Sequence, residues 1–263
     1  MTYKYNIENK FKREWQKKII DWYKINKRDL PWRKNINQNF YKIWISEVML
    51  QQTIVKTVVP YYEKFINKWP TLKSFFNASL DEILLHWEGL GYYQRARNLY
   101  KAKEYLKKNK IKINSTDLKK IPGIGDYISC AISAILRNED CAVIDGNIKR
   151  ILRRVFNLNE NKKSFKKQIS YIAKELTPSS KNGLYCQSLM DFANLVCKAK
   201  KPLCDKCFFK KICKFDGKTE KKIERKAKIN KVGVGFFVSE KNYFLVQMSN
   251  KKLLQGLYSI PLS

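Results

Sequence analysis

Three observations predict an all-α fold. Apolar residues recur at helical spacing in segment after segment from Phe11 to Val196. Short turns punctuated by proline or glycine separate those segments, and no βαβ alternation interrupts them. The chain has 263 residues, enough for one large or two small domains with a true core, and 44% hydrophobic with 13% aromatic content argues against disorder.

The first segment, Phe11 to Tyr23, sets Trp15, Ile19, Ile20 and Trp22 or Tyr23 at helical period and ends before Pro31. Leu30-Pro31-Trp32-Arg33 reads as a loop. A strong helix is expected from Tyr41 to Val59, broken by Pro60, with another from Tyr61 to Trp69. Leu80 to Trp87 is helical and stops at Gly89-Leu90-Gly91; Gln94 to Lys108 follows. Ser115 or Thr116 caps a short helix reaching Lys120, and Tyr127 to Arg137 is a helix with one apolar side. The period restarts at Ile148, Ile151, Leu152, Val155 and Phe156, and two more helices run over Phe165 to Leu176 and Leu184 to Val196. Beyond Cys213 the composition changes: 214–231 is charged and linker-like, and strands are expected at Val234–Val238 and Tyr243–Met248.

Four cysteines close the helical part. Cys197, Cys204, Cys207 and Cys213 are separated by six, two and five residues, which is metal-ligand spacing. Four thiolates suit a tetrahedral zinc or a [4Fe–4S] cube equally, and the spacing does not choose between them. A secreted disulfide framework is disfavoured by the odd total of seven cysteines and by the lack of a cleavable signal before Phe11. The formal charge of +31 pulls on polyanions, and nucleic acid is the expected partner. No apolar run approaches the ~20 residues of a membrane span. With His86 the only histidine, serine-type triads and histidine-rich metal sites are excluded; His86 itself reads as a packing residue.

Several short motifs carry chemistry. Pro122-Gly123-Ile124-Gly125 between two helices has the pattern of a helix-hairpin-helix, in which Gly123 and Gly125 let backbone N–H groups approach a phosphate. Asp145 directly precedes a helix; capping is its duller role, and Asn147 could serve instead. Glu47 has Ile43, Trp44, Leu50 and Gln51 as helical neighbours, a mainly apolar face on which desolvation should raise its pKa. A protonated carboxyl paired with an ionised one is the arrangement that breaks bonds to an anomeric carbon. Gly89-Leu90-Gly91-Tyr92-Tyr93-Gln94-Arg95-Ala96-Arg97 joins a tight turn to aromatics and arginines that could enter a base stack and hold phosphates, or could simply pack.

Together with Leu30-Pro31-Trp32-Arg33, Trp44 to Thr53 and Val143-Ile144-Asp145-Gly146-Asn147, these motifs resemble, over roughly three quarters of the chain and in order, the helix-hairpin-helix DNA glycosylases that carry an iron–sulfur cluster, nearest to the MutY-type adenine DNA glycosylases. The resemblance implies a [4Fe–4S] cluster on Cys197, Cys204, Cys207 and Cys213, and excision of adenine mispaired with 8-oxoguanine or guanine from double-stranded DNA after the base is swung out of the duplex. It implies that Glu47 protonates the purine, that Asp145 stabilises the oxocarbenium-like sugar, and that Tyr127 and Asn147 support that site. Trp32, Arg33 and Gln187 would line the adenine pocket, while Gln52, Thr53, Leu90 and Tyr92 would occupy the disturbed stack. The lysines of the cysteine loop, Lys198, Lys200, Lys201, Lys206, Lys210 and Lys211, would face phosphates.

The related endonuclease III group has a lysine at the position of Tyr127, which forms a Schiff base and cuts the strand; a phenol cannot, so a monofunctional glycosylase is expected. The two competing readings are a lyase of that group and a non-catalytic DNA-binding protein. The implied architecture is two-lobed. Residues 1–29 with 140–213 form a cluster lobe, 30–139 a helical-barrel lobe with the hairpin, 214–231 a linker, and 232–263 a β-rich piece of a truncated Nudix-like domain. Only the first strands of such a domain would be present, which predicts weakened lesion discrimination. A cytoplasmic monomer, drawn to the nucleoid by DNA, is expected.

Overall fold

The computed structural model describes residues 7–34 and 39–216, and the backbone of two short strands at 247–248 and 258–259. The chain divides into two units, Met1–Thr219 and Glu220–Ser263. In the first unit the helices are α1 (Asn9–Asn26), α2 (Phe40–Leu50), α3 (Val55–Lys68), α4 (Leu72–Phe75), α5 (Leu80–Trp87), α6 (Gln94–Lys108), α7 (Ser115–Leu118), α8 (Asp126–Arg137), α9 (Gly146–Phe156), α10 (Phe165–Leu176) and α11 (Asn182–Leu195).

Local chemistry sets most of the boundaries. Ser79 and Glu82 form a reciprocal capping box at α5, and Thr71 with Ser74 does the same for α4. Asn138 and Asn157 end α8 and α9 in the left-handed conformation that asparagine tolerates. The cap of α7 is Asn114, whose side chain accepts the Asp117 N–H at 2.7 Å, one residue before the expected Ser115 or Thr116.

One expected break is misplaced. The first helix of the Tyr41–Val59 stretch stops at Leu50, and α3 runs straight through Pro60. Pro60 lies on the exposed side of α3, where solvent can serve the Lys56 carbonyl left without its intrahelical donor. The real interruption is at Gln52, which takes a positive φ of 59°.

A core of Trp15, Ile19, Ile148, Ile151, Leu152, Ile172, Leu176, Leu189 and Phe192 joins α1 to α9, α10 and α11, with Ala131 and Ala134 contributed by α8. Trp15 stacks on Phe209 of the cysteine loop at 4.0 Å and donates from its indole nitrogen to Tyr185 at 2.8 Å. A second aromatic group, Tyr41, Trp44, Phe65, Trp69, Phe75 and Trp87, packs α2 against α3, α4 and α5. His86 belongs to this packing, with its ring 4.8 Å from Trp69. Where α8 and α11 cross, Gly183 leaves no room for a side chain: a Cβ there would lie 2.5 Å from the Ala134 carbonyl oxygen.

In the second unit, β1 (Gln247–Met248) pairs antiparallel with β2 (Tyr258–Ser259), Gln247 opposite Ser259 and Met248 opposite Tyr258. β1 falls within the expected Tyr243–Met248 strand. The expected strand Val234–Val238 and most of the charged stretch 214–231 lie outside the described residues.

Candidate active site

Helix α2 is apolar nearly all round, and Glu47 goes into the interior with it at 5% exposure. A buried carboxyl needs a partner. Tyr127, in the first turn of α8, donates its phenol O–H to Glu47 Oε2 at 2.8 Å. Burial pushes Glu47 up to about 7, the Asp145 charge adds to the rise, and the Tyr127 hydrogen bond and the Arg33 charge oppose it. Burial likewise holds the Tyr127 phenol well above its ordinary range, reinforced by the charges of Glu47 and Asp145.

Asp145 is the N-cap of α9. Its Oδ1 accepts the Ile148 N–H at 2.7 Å and its Oδ2 accepts the Asn147 amide at 2.7 Å. Asn147 Oδ1 in turn accepts from Arg150 at 3.1 Å, and Arg150 reaches on to the carbonyls of Ala193 and Cys197, each at 2.9 Å. Capping and catalysis, posed as alternatives by the sequence, are compatible here because the cap itself orients the carboxylate. The two acids are close enough for the Asp145 charge to act on Glu47.

The Pro31–Arg33 segment is a 3-10 turn rather than an irregular loop. It buries Trp32 edge-on against Tyr62, with ring centroids 5.1 Å apart. Arg33 lays its guanidinium on Asp191 with a fork of 2.8 and 3.1 Å, and its charge reaches Glu47. Arg28 binds the same carboxylate through its backbone N–H at 2.9 Å and its Nε at 2.8 Å. Burial alone would raise Asp191, but Arg33 and Arg28 hold it below the ordinary carboxylate value. Asp191 is fully buried and escaped the sequence reading, although it is the only charged residue of α11.

The other expected positions lie on separate turns and helices. Gln52 and Tyr92 are exposed and carry positive φ values of 59° and 49°; Thr53 is half-buried and Leu90 buried. Gly123 has a φ of 82° and lies so close to α6 that a Cβ would meet Asn98 at 2.7 Å. Gly125 is the N-cap of α8 and leaves the first N–H groups of that helix without a side-chain cap. Gln187 turns back on its own helix, donating to the Gly183 carbonyl at 3.1 Å.

Cys197, Cys204, Cys207 and Cys213 line one cavity of about 350 Å³, counted to its open mouth, walled by Ile151, Val155, Phe192 and Phe209. Burial pushes the Cys207 thiol up to about 11, and the other three thiols add to the shift. Among the described residues no three Cys, His, Asp or Glu side chains converge closely enough for a single metal ion. Arg154 donates to the carbonyls of Lys198 and Ala199 at 2.7 and 3.0 Å, tying the loop to α9.

Comparison with known proteins gives the family. Residues 45–178 match the HhH-GPD superfamily of base excision DNA repair proteins. Two adenine DNA glycosylases of Buchnera aphidicola, from the subspecies Schizaphis graminum and Baizongia pistaciae, are 35% and 39% identical over 92% of this chain and 73% and 72% of their own lengths. The human adenine DNA glycosylase is 36% identical over 74% of this chain and 38% of its own length. Among solved structures, a thermostable thymine-DNA glycosylase superposes with a TM-score of 0.70 at 27% identity, covering 80% of this chain and 98% of that one. An endonuclease III trapped on DNA shares the fold, with a TM-score of 0.64 at 17% identity over 76% of this chain and 93% of its own. The family match spans both acids and the glycine hairpin, and the chain belongs to the HhH-GPD superfamily of base excision DNA repair proteins.

Proposed function

We propose that this protein hydrolyses the N-glycosidic bond of adenine mispaired with 8-oxoguanine or guanine in duplex DNA, and leaves the strand uncut. The observation that carries the reading is the Glu47 carboxyl, buried, pushed up to about 7 and held in the field of Asp145. An acid of that strength still carries a proton near neutrality and can give it to a departing purine. Asp145, with both oxygens already hydrogen-bonded, meets positive charge developing on the sugar without rearranging. Tyr127 fixes the orientation of Glu47, and Asn147 that of Asp145.

Trp32 and Arg33 line the base pocket, Gln187 borders it, and Gln52, Thr53, Leu90 and Tyr92 belong to the two loops that meet the opened stack. The hairpin at Gly123 and Gly125 grips the backbone phosphates with N–H groups. The four cysteines have the donor set for a [4Fe–4S] cluster, being all thiols in one apolar cavity. When bound, the cluster supplies structure, fixing the loop whose lysines face DNA. A Cys207→Ser variant should lose broad visible absorbance. On the same reading the helices form two lobes, 1–29 with 140–213 and 30–139, and the strand pair at 247–248 and 258–259 belongs to a Nudix-like segment.

The decisive experiment incubates duplex containing adenine opposite 8-oxoguanine with the protein, then cleaves abasic sites with alkali. Base release by the wild type and none by Glu47→Gln, with binding retained, supports the reading; no release by the wild type leaves a DNA-binding protein without this activity.

A further inference from the structure

Arg95, in the first turn of α6, is 7% exposed, and its guanidinium hydrogen-bonds to backbone carbonyls rather than to a carboxylate. Its guanidinium is spent on backbone carbonyls of two separate loops. One nitrogen donates to Val48, Met49 and Gln51 at 3.2, 2.6 and 2.6 Å, at the C-terminal end of α2. The other donates to Leu90 and Gly91 at 3.4 and 3.0 Å. The rings of Trp87 and Tyr92 flank the cation at 5.3 and 5.4 Å, and its Nε is buried without a partner. A cation buried on these terms is costly, which calls for a reason to keep it.

The carbonyls name the reason. Gln51 and Gly91 are the residues directly before Gln52 and Tyr92. Those two are non-glycine residues at positive φ, 59° and 49°, and both are exposed. Left-handed backbone at such residues costs on the order of 1 kcal/mol each and survives only where the surroundings enforce it. One planar fork therefore grips both peptide units that set these conformations.

We propose that Arg95 is a positioning residue for duplex engagement, holding the Gln51–Gln52 and Gly91–Tyr92 peptide units so that Gln52 and Tyr92 enter the opened stack as a pair. The inference rests on the reading above that these two loops meet DNA. Lysine keeps the charge but lacks the rigid fork that can serve both loops at once.

The test uses the full chain and base release from adenine opposite 8-oxoguanine under single turnover. With Arg95 in place, Gln52→Ala and Tyr92→Ala should be coupled, the double variant departing at least about threefold from the product of the single effects. In Arg95→Lys that coupling should vanish. The same variant should show a smaller fluorescence rise from 2-aminopurine beside the target adenine, while the alkaline midpoint of its pH–rate profile stays unmoved. Additive single effects with Arg95 present would overturn the proposal even if Arg95→Lys failed to fold, and so would unchanged coupling in Arg95→Lys. Failure of the wild type to release adenine would instead remove the reading on which it rests.

Discussion

The phenol of Tyr127 donates to Glu47 Oε2 at 2.8 Å, so the first turn of α8 is tied to the proposed acid on α2. That contact favours the charged form of Glu47, whereas burial favours the neutral form and wins, leaving the group at about 7. Base release that needs protonated Glu47 should hold level below about pH 6 and fall roughly tenfold per unit well above pH 7. Tyr127→Phe removes the hydrogen bond that lowers the Glu47 pKa. Its alkaline limb should move upward by about half to one unit, readable in single-turnover pH–rate profiles.

The same shift has a sign in stability. Folding raises Glu47 from 4.5 to about 7, so its contribution is fully present below about pH 4.5 and is lost as pH rises through 7. The loss by pH 8 is about 3 kcal/mol. Glu47→Gln does not titrate, so its thermal midpoint should gain on the wild type from pH 5 to pH 7 and level off by pH 8. A constant difference across that range would mean that Glu47 does not titrate in it.

Asp191 serves Arg33 and Arg28 at once from a fully buried position. Asp191→Asn leaves two partly buried guanidinium groups without their carboxylate and should cost about 3 kcal/mol in urea denaturation. Because Arg33 would lose its fork, base release per folded molecule should also fall by about tenfold or more. A variant with normal release would show that Arg33 needs no anchor.

Tyr127 offers no amine, so borohydride added during turnover should trap no protein–DNA adduct, and the nicked product should appear only after alkali. An adduct on wild-type protein would move the chemistry to a lyase with another nucleophile.

Much of this was legible in the sequence. The limits of α5, α6 and α10 agree with the periodicity to the residue, since amphipathic spacing and local caps act together there. The apolar neighbours of Glu47 announced its burial and its raised pKa. The break inside Tyr41–Val59 was misread because Pro60 is a local signal, whereas the true interruption at Gln52 is held by Arg95 from another helix. Asp191 was missed for the same reason: its partners are 158 and 163 positions away, and neither period nor propensity reports on them.

Gly183 brings no side chain to this chemistry, yet α8 brings Tyr127 and α11 brings Asp191 to the centre from the crossing it permits. Its missing methyl acts as a gauge for the gap between those two rods. Thickening it by one carbon would pry them apart, and the misalignment would be felt where purine and proton are meant to meet.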